Sequence, residues 1–493
     1  MNLLGIDLGS SFVKASVIDA KTGKCLSAVS CPDQEMIISS PKPGWAEQDP
    51  QVWWNTTVMA VRKALAAAPG AAADIEAIGI SYQMHGLVVL DKNGSVLRPA
   101  IIWCDGRAVD IGNKAFAQIG PDACLSTMLN SPANFTASKM KWVIDNEPGV
   151  FNRAASLCLP GDYIGYKLTG RLATTVSGLS EGILWDFPNH KPAQKVLQTF
   201  GIPESMLPER VSTFGDQGRL TADAASQLGL KQGIALCYRA GDQPNNAFSL
   251  GVLEPGQAAA TAGTSGVVYG VTEAVKTDPA SRVNTFAHVN HSAENRRLGV
   301  LLCVNGTGIA NAWTKRLMDT SMSYDAMNSL AEKSPIGSEG LVFLPMGNGA
   351  ERMIGNRDIG AQLIGLRFNG HNRAHVIRAV QEGIAFSLVY GVSIMKSIGA
   401  EVRALRAGCA NMFLSPIFRN AIASTLQAPI ALYNTDGAQG AARGAGKGAG
   451  IFSDWKSAFN GLNCVQTIEP DIASVEAYDQ AYRRWTTALE KNL

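Results

Sequence analysis

The 493-residue sequence predicts an α/β protein made of two similar halves, and three observations carry that expectation. A strand–Gly-Ser-Ser–strand element opens the chain, and a strand–Gly-Thr-Ser–strand element returns midway. Their turn glycines, Gly9 and Gly263, are 254 residues apart, about half the chain. Helical and strand periodicities mix along the sequence. At roughly 100–200 residues per domain, the length calls for two to four domains.

The elements follow in order. Leu3–Ile6 reads as a short apolar strand, Asp7–Ser11 as a turn and Val13–Ile18 as a second strand, so the chain starts as a hairpin. Asp19–Lys24 is a polar turn containing Gly23. Asp49 followed by Pro50 starts a helix running to Ala67, with Val52, Trp53, Val58, Val61 and Leu65 on its apolar side. Ile75–Ile80 and Leu87–Leu90 are strands, the second closed by the turn Asp91–Gly94. Gln257–Ala262 and Val267–Val271 form the second hairpin. His375–Ile398 has the four-residue apolar spacing of a helix, and Leu414–Leu426 is another helix. Asp436–Gly450 is rich in Gly and Ala: either a flexible linker or a helix whose small residues admit a second backbone. Ser474–Leu493 reads as a surface helix with a solvated charged face.

Composition narrows the function. Lys plus Arg is 43 and Asp plus Glu is 41, a net +2, which gives no electrostatic case for nucleic acid or a membrane surface. Nine cysteines, an odd number without CxxC spacing, point to reduced thiols in a cytosol. His288 and His291 are close but lack a third ligand, so zinc is not expected. An acidic residue as early as Asp7 argues against a signal peptide, and no apolar run approaches the ~18 residues of a membrane span. The expectation is a cytoplasmic protein.

No GxxxxGK[ST] motif is present, since Gly446-Lys447 is followed by Gly448, and no GxGxxG follows a strand. The two hairpin turns offer another way to hold phosphate. A glycine in a tight turn exposes successive backbone N–H groups, and the hydroxyls of Ser10, Ser11, Thr264 and Ser265 add donors. Two such nests can grip an ATP polyphosphate, with Lys14 adding a cation and Asp7 holding Mg²⁺ through water. The alternative is that Gly9 and Gly263 are hairpin glycines only. Asp242, in the polar run Ala240–Asn246, can accept a proton from a substrate hydroxyl or can equally cap a helix. Gln83-Met84-His85-Gly86 and Trp103-Cys104-Asp105-Gly106-Arg107 each put polar groups beside apolar surface at strand ends, the make-up of a small-polyol site. His85 taken alone reads as a structural histidine.

Together these segments resemble the carbohydrate kinase family that includes glycerol kinase, gluconokinase, ribulokinase and xylulokinase, nearly end to end. IDLGSS at Ile6–Ser11 and AGTSG at Ala262–Gly266 resemble the two phosphate motifs, and GDQPNNA at Gly241–Ala247 the catalytic-base motif. PGWAEQDP at Pro43–Pro50, FTASKMKWV at Phe135–Val143, FLPMGNGAER at Phe343–Arg352 and QLIGLRF at Gln362–Phe368 also fit. GISYQMHG at Gly79–Gly86 and IIWCDGR at Ile101–Arg107 look specifically like the xylulokinase branch. AGCAN at Ala407–Asn411 resembles the adenosine loop, with Cys409 where glycine is common, and Gln381 departs from an apolar position of the second signature.

The resemblance implies two ribonuclease-H-like domains of the actin–hexokinase type, 1–249 and 250–493, with an interdomain cleft. It implies ATP- and Mg²⁺-dependent phosphorylation of a sugar hydroxyl. D-xylulose is the leading substrate; ribulose or gluconate is the runner-up, and an actin- or chaperone-like ATPase is the alternative from another class. By resemblance Asp242 is the base and Asp7 supports Mg²⁺. Met84, His85, Asp105 and Gln243 join Gln83, Trp103 and Arg107 at the sugar. Gly9–Ser11 and Gly263–Ser265 lie at the phosphates, and Gly308, Gly408, Ala410 and Asn411 near the nucleoside. The implied partner is a small sugar, and a homodimer is compatible with it.

Overall fold

The computed structural model describes residues 1–493, which fall into two compact units. The first comprises Met1–Gly251 together with Phe286–Leu298 and Thr435–Leu462. The second comprises Val252–Thr285, Gly299–Asn434 and Asn463–Leu493.

The first unit is built on a five-stranded sheet in the order Ala235–Gly241, Ile75–Tyr82, Asn2–Leu8, Val13–Asp19, Cys25–Cys31. The first three strands are parallel, and the last two return antiparallel to their neighbours. The central strand is buried along both faces, with Leu3, Leu4, Ile6 and Leu8 all out of water. Such a near-continuous apolar strand is what a sheet covered on both sides requires. The strand extends to Leu8, so Asp7 belongs to it and not to the turn, which starts at Gly9.

The helix Pro50–Ala67 covers one part of this sheet and begins as expected, with Asp49 accepting from the Gln51 amide at 2.9 Å. The Gly/Ala-rich stretch is not a linker. It forms the helix Gly437–Gly448, capped by Asp436, which accepts from the Gln439 amide at 2.8 Å. This helix lies directly against the strands. A Cβ on Gly5 would stand 1.8 Å from the Ala438 carbonyl, and one on Gly79 would stand 2.0 Å from the Ala441 carbonyl. Glycine in a helix interior costs about 1 kcal/mol relative to alanine. Backbone-to-backbone packing returns dispersion energy that a longer side chain would forfeit by holding the surfaces apart.

In the second unit the sheet order is Asn284–Ala287, Leu298–Val304, Gly266–Thr272, Gly256–Ala262, Val402–Gly408, Ile430–Tyr433, Cys464–Ile468. The hairpin Gly256–Ala262/Gly266–Thr272 is antiparallel, and Val402–Gly408 and Ile430–Tyr433 follow in parallel. This reproduces the order of the first sheet, an antiparallel hairpin flanked on its first-strand side by two parallel strands and on the other by one further strand, with one additional strand at each edge, Cys464–Ile468 and Asn284–Ala287. The half-chain repeat of hairpins is therefore a repeat of topology. The long helix Arg373–Ser397 crosses this core with nineteen buried residues, Ile384, Leu388 and Met395 among them. The expected helix at Leu414–Leu426 begins two residues later, at Pro416 behind its cap Ser415, after a short 3₁₀ turn at Asn411–Leu414. The C-terminal helix Ile472–Glu490 buries Tyr478, Ala481, Trp485 and Leu489, a four-residue stripe beneath an otherwise polar surface. No helix is long and apolar enough to cross a membrane.

Candidate active site

In the first unit, the carboxyl ends of three adjacent parallel strands gather the predicted acids. Ligands of open α/β sheets collect at such ends, where side chains and loop amides converge without strand partners. Asp7 stands near the end of Asn2–Leu8, opposite Lys14 on the hairpin partner and Ser81 on the parallel neighbour. The Ser81 hydroxyl donates to Asp7 Oδ1 at 2.7 Å. The Asp7 carboxyl also abuts the start of the glycine-rich helix, since a Cβ on Gly437 would be 2.5 Å from Oδ2. Burial raises its pKa above the ordinary carboxylate value. Lys14 and Ser81 oppose the rise, and the Asp436 charge adds to it.

Asp242 follows directly on the strand Ala235–Gly241, as the first residue of the helix Asp242–Ser249. Gly241 occupies the N-cap position and no side chain caps this helix, so the capping role open to Asp242 in the sequence is not the one it plays. Its pKa is pushed up to about 7, by burial first and by the charge of Asp7 second, against hydrogen bonds from Gln243. A buried carboxyl whose proton affinity is raised by a neighbouring carboxylate belongs to a hard-oxygen donor set, whose repulsion a divalent cation would relieve.

The segment Gln83–Gly86 continues the strand Ile75–Tyr82. Gln83 and Met84 are buried, and Met84 packs on Gly241, whose added Cβ would be 2.6 Å from Met84 Cγ. His85 has a left-handed backbone, φ 62°, unusual for a residue bearing a Cβ. Its ring lies edge-on to Phe135, centroids 4.7 Å apart, and 5.3 Å from Phe286. His85 Nδ1 is 2.9 Å from the Glu181 carbonyl. A carbonyl can only accept, so Nδ1 carries the hydrogen and Nε2 is the acceptor nitrogen of the neutral ring.

Two residues not named among the expected site residues complete this neighbourhood, one of them, Lys139, within the FTASKMKWV segment. Lys139 is fully buried and donates to the backbone carbonyls of His85 at 2.8 Å and Ile102 at 3.0 Å. Burial pushes its pKa down to about 7. Glu181 ends the helix Val176–Glu181, and its carboxyl sits 2.4 Å from where a Gly241 Cβ would be. Burial, then the charges of Asp242 and Asp162, raise its pKa well above the ordinary range.

The second polar segment divides. Trp103 is half exposed, and its indole N–H donates to Ser10 Oγ at 3.3 Å, at the first hairpin turn. Asp105 and Arg107 are not brought to that surface. Both Asp105 oxygens are occupied, by the Ala46 amide at 2.6 Å and by the Arg107 amide and guanidinium at 2.7–3.0 Å. Arg107 also pairs with Glu47 at 2.7 Å and lies 3.8 Å from the Trp45 ring centroid. The pair is a buried brace, because a desolvated arginine needs its carboxylates as partners.

The second unit carries the other hairpin turn. Gly308 starts the helix Gly308–Met318, and its amide donates to the Gly263 carbonyl at 2.8 Å. A Cβ on Gly308 would lie 2.2 Å from that same oxygen, so only glycine allows the approach. A cavity of about 480 Å³ opens here, lined by Gly263, Thr264, Gly308, Asn311, Asn328 and Asn411 among others. Asn411 is left-handed, φ 54°, which places it against the cavity. Ser265, Gly408 and Ala410 flank this wall without lining the cavity, Ser265 facing Cys303 instead.

Comparison with known proteins agrees along the whole chain. Residues 2–249 match the model of the N-terminal domain of the FGGY family of carbohydrate kinases, and residues 258–449 that of its C-terminal domain. A xylulose kinase of Staphylococcus epidermidis is 31% identical over 407 residues, 82% of this chain and 79% of the relative. A xylulose kinase of Bacillus subtilis is 30% identical over 402 residues, 81% of this chain and 78% of the relative. The crystal structure of a xylulose kinase from Brucella ovis superposes with TM-score 0.90 at 29% identity, covering 100% of this chain and 99% of that one.

Proposed function

This chain belongs to the FGGY family of carbohydrate kinases, and within that family we propose that it transfers the γ-phosphoryl group of ATP to D-xylulose, giving D-xylulose 5-phosphate. The observation that carries the reading is the nearness of Asp242 and Asp7, at the ends of the two strands that flank Ile75–Tyr82, whose continuation carries His85. The relatives named xylulose kinase support the choice of sugar. Asp242 is the general base. Held near neutrality, its carboxylate takes the proton of the attacking hydroxyl and orients the oxygen. His85, with Nε2 as acceptor, orders a second hydroxyl. Lys139 holds the two segments that carry His85 and Trp103 at a fixed separation. Asp7 would hold Mg²⁺ through water, and the ion would supply charge neutralisation of the transferring phosphoryl group. The expected division at 249/250 is amended by the fold: Met1–Gly251 with Phe286–Leu298 and Thr435–Leu462 form the sugar and base unit, and the remaining segments from Val252 onward the nucleotide unit, with the cavity beside Gly263 and Gly308 taking the nucleoside.

A substrate panel with coupled ADP detection tests this. D-xylulose should show the highest kcat/KM, ahead of D-ribulose and gluconate, and glycerol should be poor. A site built to bond several hydroxyls leaves buried polar groups unpaired when a shorter polyol binds. Equal kcat/KM for glycerol and D-xylulose would refute the assignment.

A further inference from the structure

The cavity of the second unit is backed by a buried polar network where packing alone would ask for an apolar side chain. Gln381 lies on the helix Arg373–Ser397 among Val380, Ile384 and Leu388, and is wholly buried. An amide in such a place is costly unless each end is satisfied. Here both ends are. The Ser415 hydroxyl donates to Gln381 Oε1 at 2.9 Å. Gln381 Nε2 donates to Asn328 Oδ1 at 2.8 Å and, at a longer 3.5 Å, to Asn311 Oδ1.

The direction of this network follows from its far end. Ser415 caps the helix Pro416–Leu426, its oxygen accepting from the Phe418 amide at 3.3 Å. Its own proton goes to Gln381, which meets it with its carbonyl oxygen. The Gln381 amino end then faces the two asparagines and takes up both of their carbonyl oxygens. Asn311 and Asn328 line the cavity, so the end of each amide left to it is the NH₂ donor.

We infer that Gln381 is a positioning residue that sets base selectivity: it turns Asn328 and Asn311 into donors, so that the cavity selects a nucleobase presenting ring-nitrogen or carbonyl acceptors there. The inference rests on the reading of this cavity as the nucleoside site. Asn328 is the sharper of the two readers, because its bond to Gln381 is the shorter.

The test is calorimetric titration of the full chain with ADP and with IDP, purine nucleotides of the same size whose base edges carry different donors and acceptors. Asn328→Asp keeps an acceptor for Gln381 but offers the cavity an acceptor in place of a donor, at a half-buried site where folding is not at stake. Gln381→Glu acts from behind. Its carboxylate still takes the Ser415 proton but must accept from Asn328, which reverses that amide. Both variants should shift the ratio of ADP to IDP affinity in the same direction, by about tenfold, the scale of one hydrogen bond exchanged for a mismatch. Asn328→Ala should shift it less than Asn328→Asp. An unchanged ratio in folded Asn328→Asp overturns the inference. So does an equal loss of both nucleotides in Gln381→Glu, which would mark the network as structural only. If the unaltered protein binds neither nucleotide, it is the reading of the cavity as a nucleoside site that fails.

Discussion

Replacing Asp242 by Asn separates chemistry from structure at a single atom. Asparagine preserves size and one acceptor oxygen but cannot take up the substrate proton. A positioned general base is worth about 10²- to 10⁴-fold, or about 2.7–5.4 kcal/mol of activation free energy. Turnover should fall by that factor. The structure also fixes the stability response. Gly241, not Asp242, is the N-cap, so no cap is lost. The folded carboxyl has a pKa raised to about 7 from 3.8, so its contribution to stability is full below pH 3.8 and is lost as pH rises through 7. At pH 8 the wild-type site holds two mutually repelling carboxylates, and Asp242→Asn removes one. The melting temperature at pH 8 should therefore hold or rise while turnover collapses. In the wild type, kcat/KM should climb with pH through about 7 as the base ionises, and Asp7→Asn should move that limb to lower pH by removing the neighbouring charge. Coupled ADP detection across pH 5.5–9, with thermal melts alongside, measures both responses. Near-normal turnover by a folded Asp242→Asn protein would refute the assignment of the base.

Three further substitutions probe the scaffold of the site. Gly437→Ala introduces a Cβ 2.5 Å from Asp7 Oδ2; it should lower turnover by at least about tenfold while costing little in melting temperature, since alanine is the better helix former. Lys139→Met removes both donors to the His85 and Ile102 carbonyls, and should raise the KM for sugar while leaving nucleotide affinity within about twofold, measured by initial rates and calorimetry. The same variant should flatten a pH trend. With a folded pKa near 7 below its ordinary 10.5, Lys139 binds its proton more weakly in the native state, so wild-type stability gains as pH rises from 7 to 10.5, and urea melts of Lys139→Met should lose that part of the gain. Gly308→Ala forces the helix Gly308–Met318 off the Gly263 carbonyl, and should weaken nucleotide binding by at least about tenfold with the sugar KM unchanged.

Much of the fold was legible because its signals are local. The helix Pro50–Ala67 matches its expected span residue for residue, since Asp49-Pro50 fixes the start and the apolar spacing carries through to Ala67. Both hairpins were readable from a glycine and two small polar residues between apolar runs. The stretch Asp436–Gly450 was ambiguous because its stability is not local. Its composition disfavours an isolated helix, and the helix exists only because Gly5 and Gly79, more than 350 residues earlier, clear the strands for it. Its cap, Asp436, was the one local clue.

The site divides along the same line. Asp7, Asp242 and His85 could be named because each stands at a strand end beside small residues, a pattern that sequence order preserves. Asp105 and Arg107 stand in the same kind of segment, yet the structure locks them together with Glu47 below the surface. The sequence cannot tell a polar residue that faces a ligand from one that braces the loop carrying it, because the two differ only in what packs behind them. Lys139 and Glu181 show the converse. Each lies in a helix and bears a charge-forming side chain of the kind usually left in water, and each is wholly buried. What makes them matter is desolvation: it lowers the lysine's pKa to about 7 and raises that of the glutamic acid well above its ordinary value, which biases each toward its neutral form beside Asp242. A pair left ionised there would compete with the base for counter-charge. Burial thus biases the acid–base balance of this neighbourhood toward Asp242 and Asp7, which at their strand ends are only partly buried.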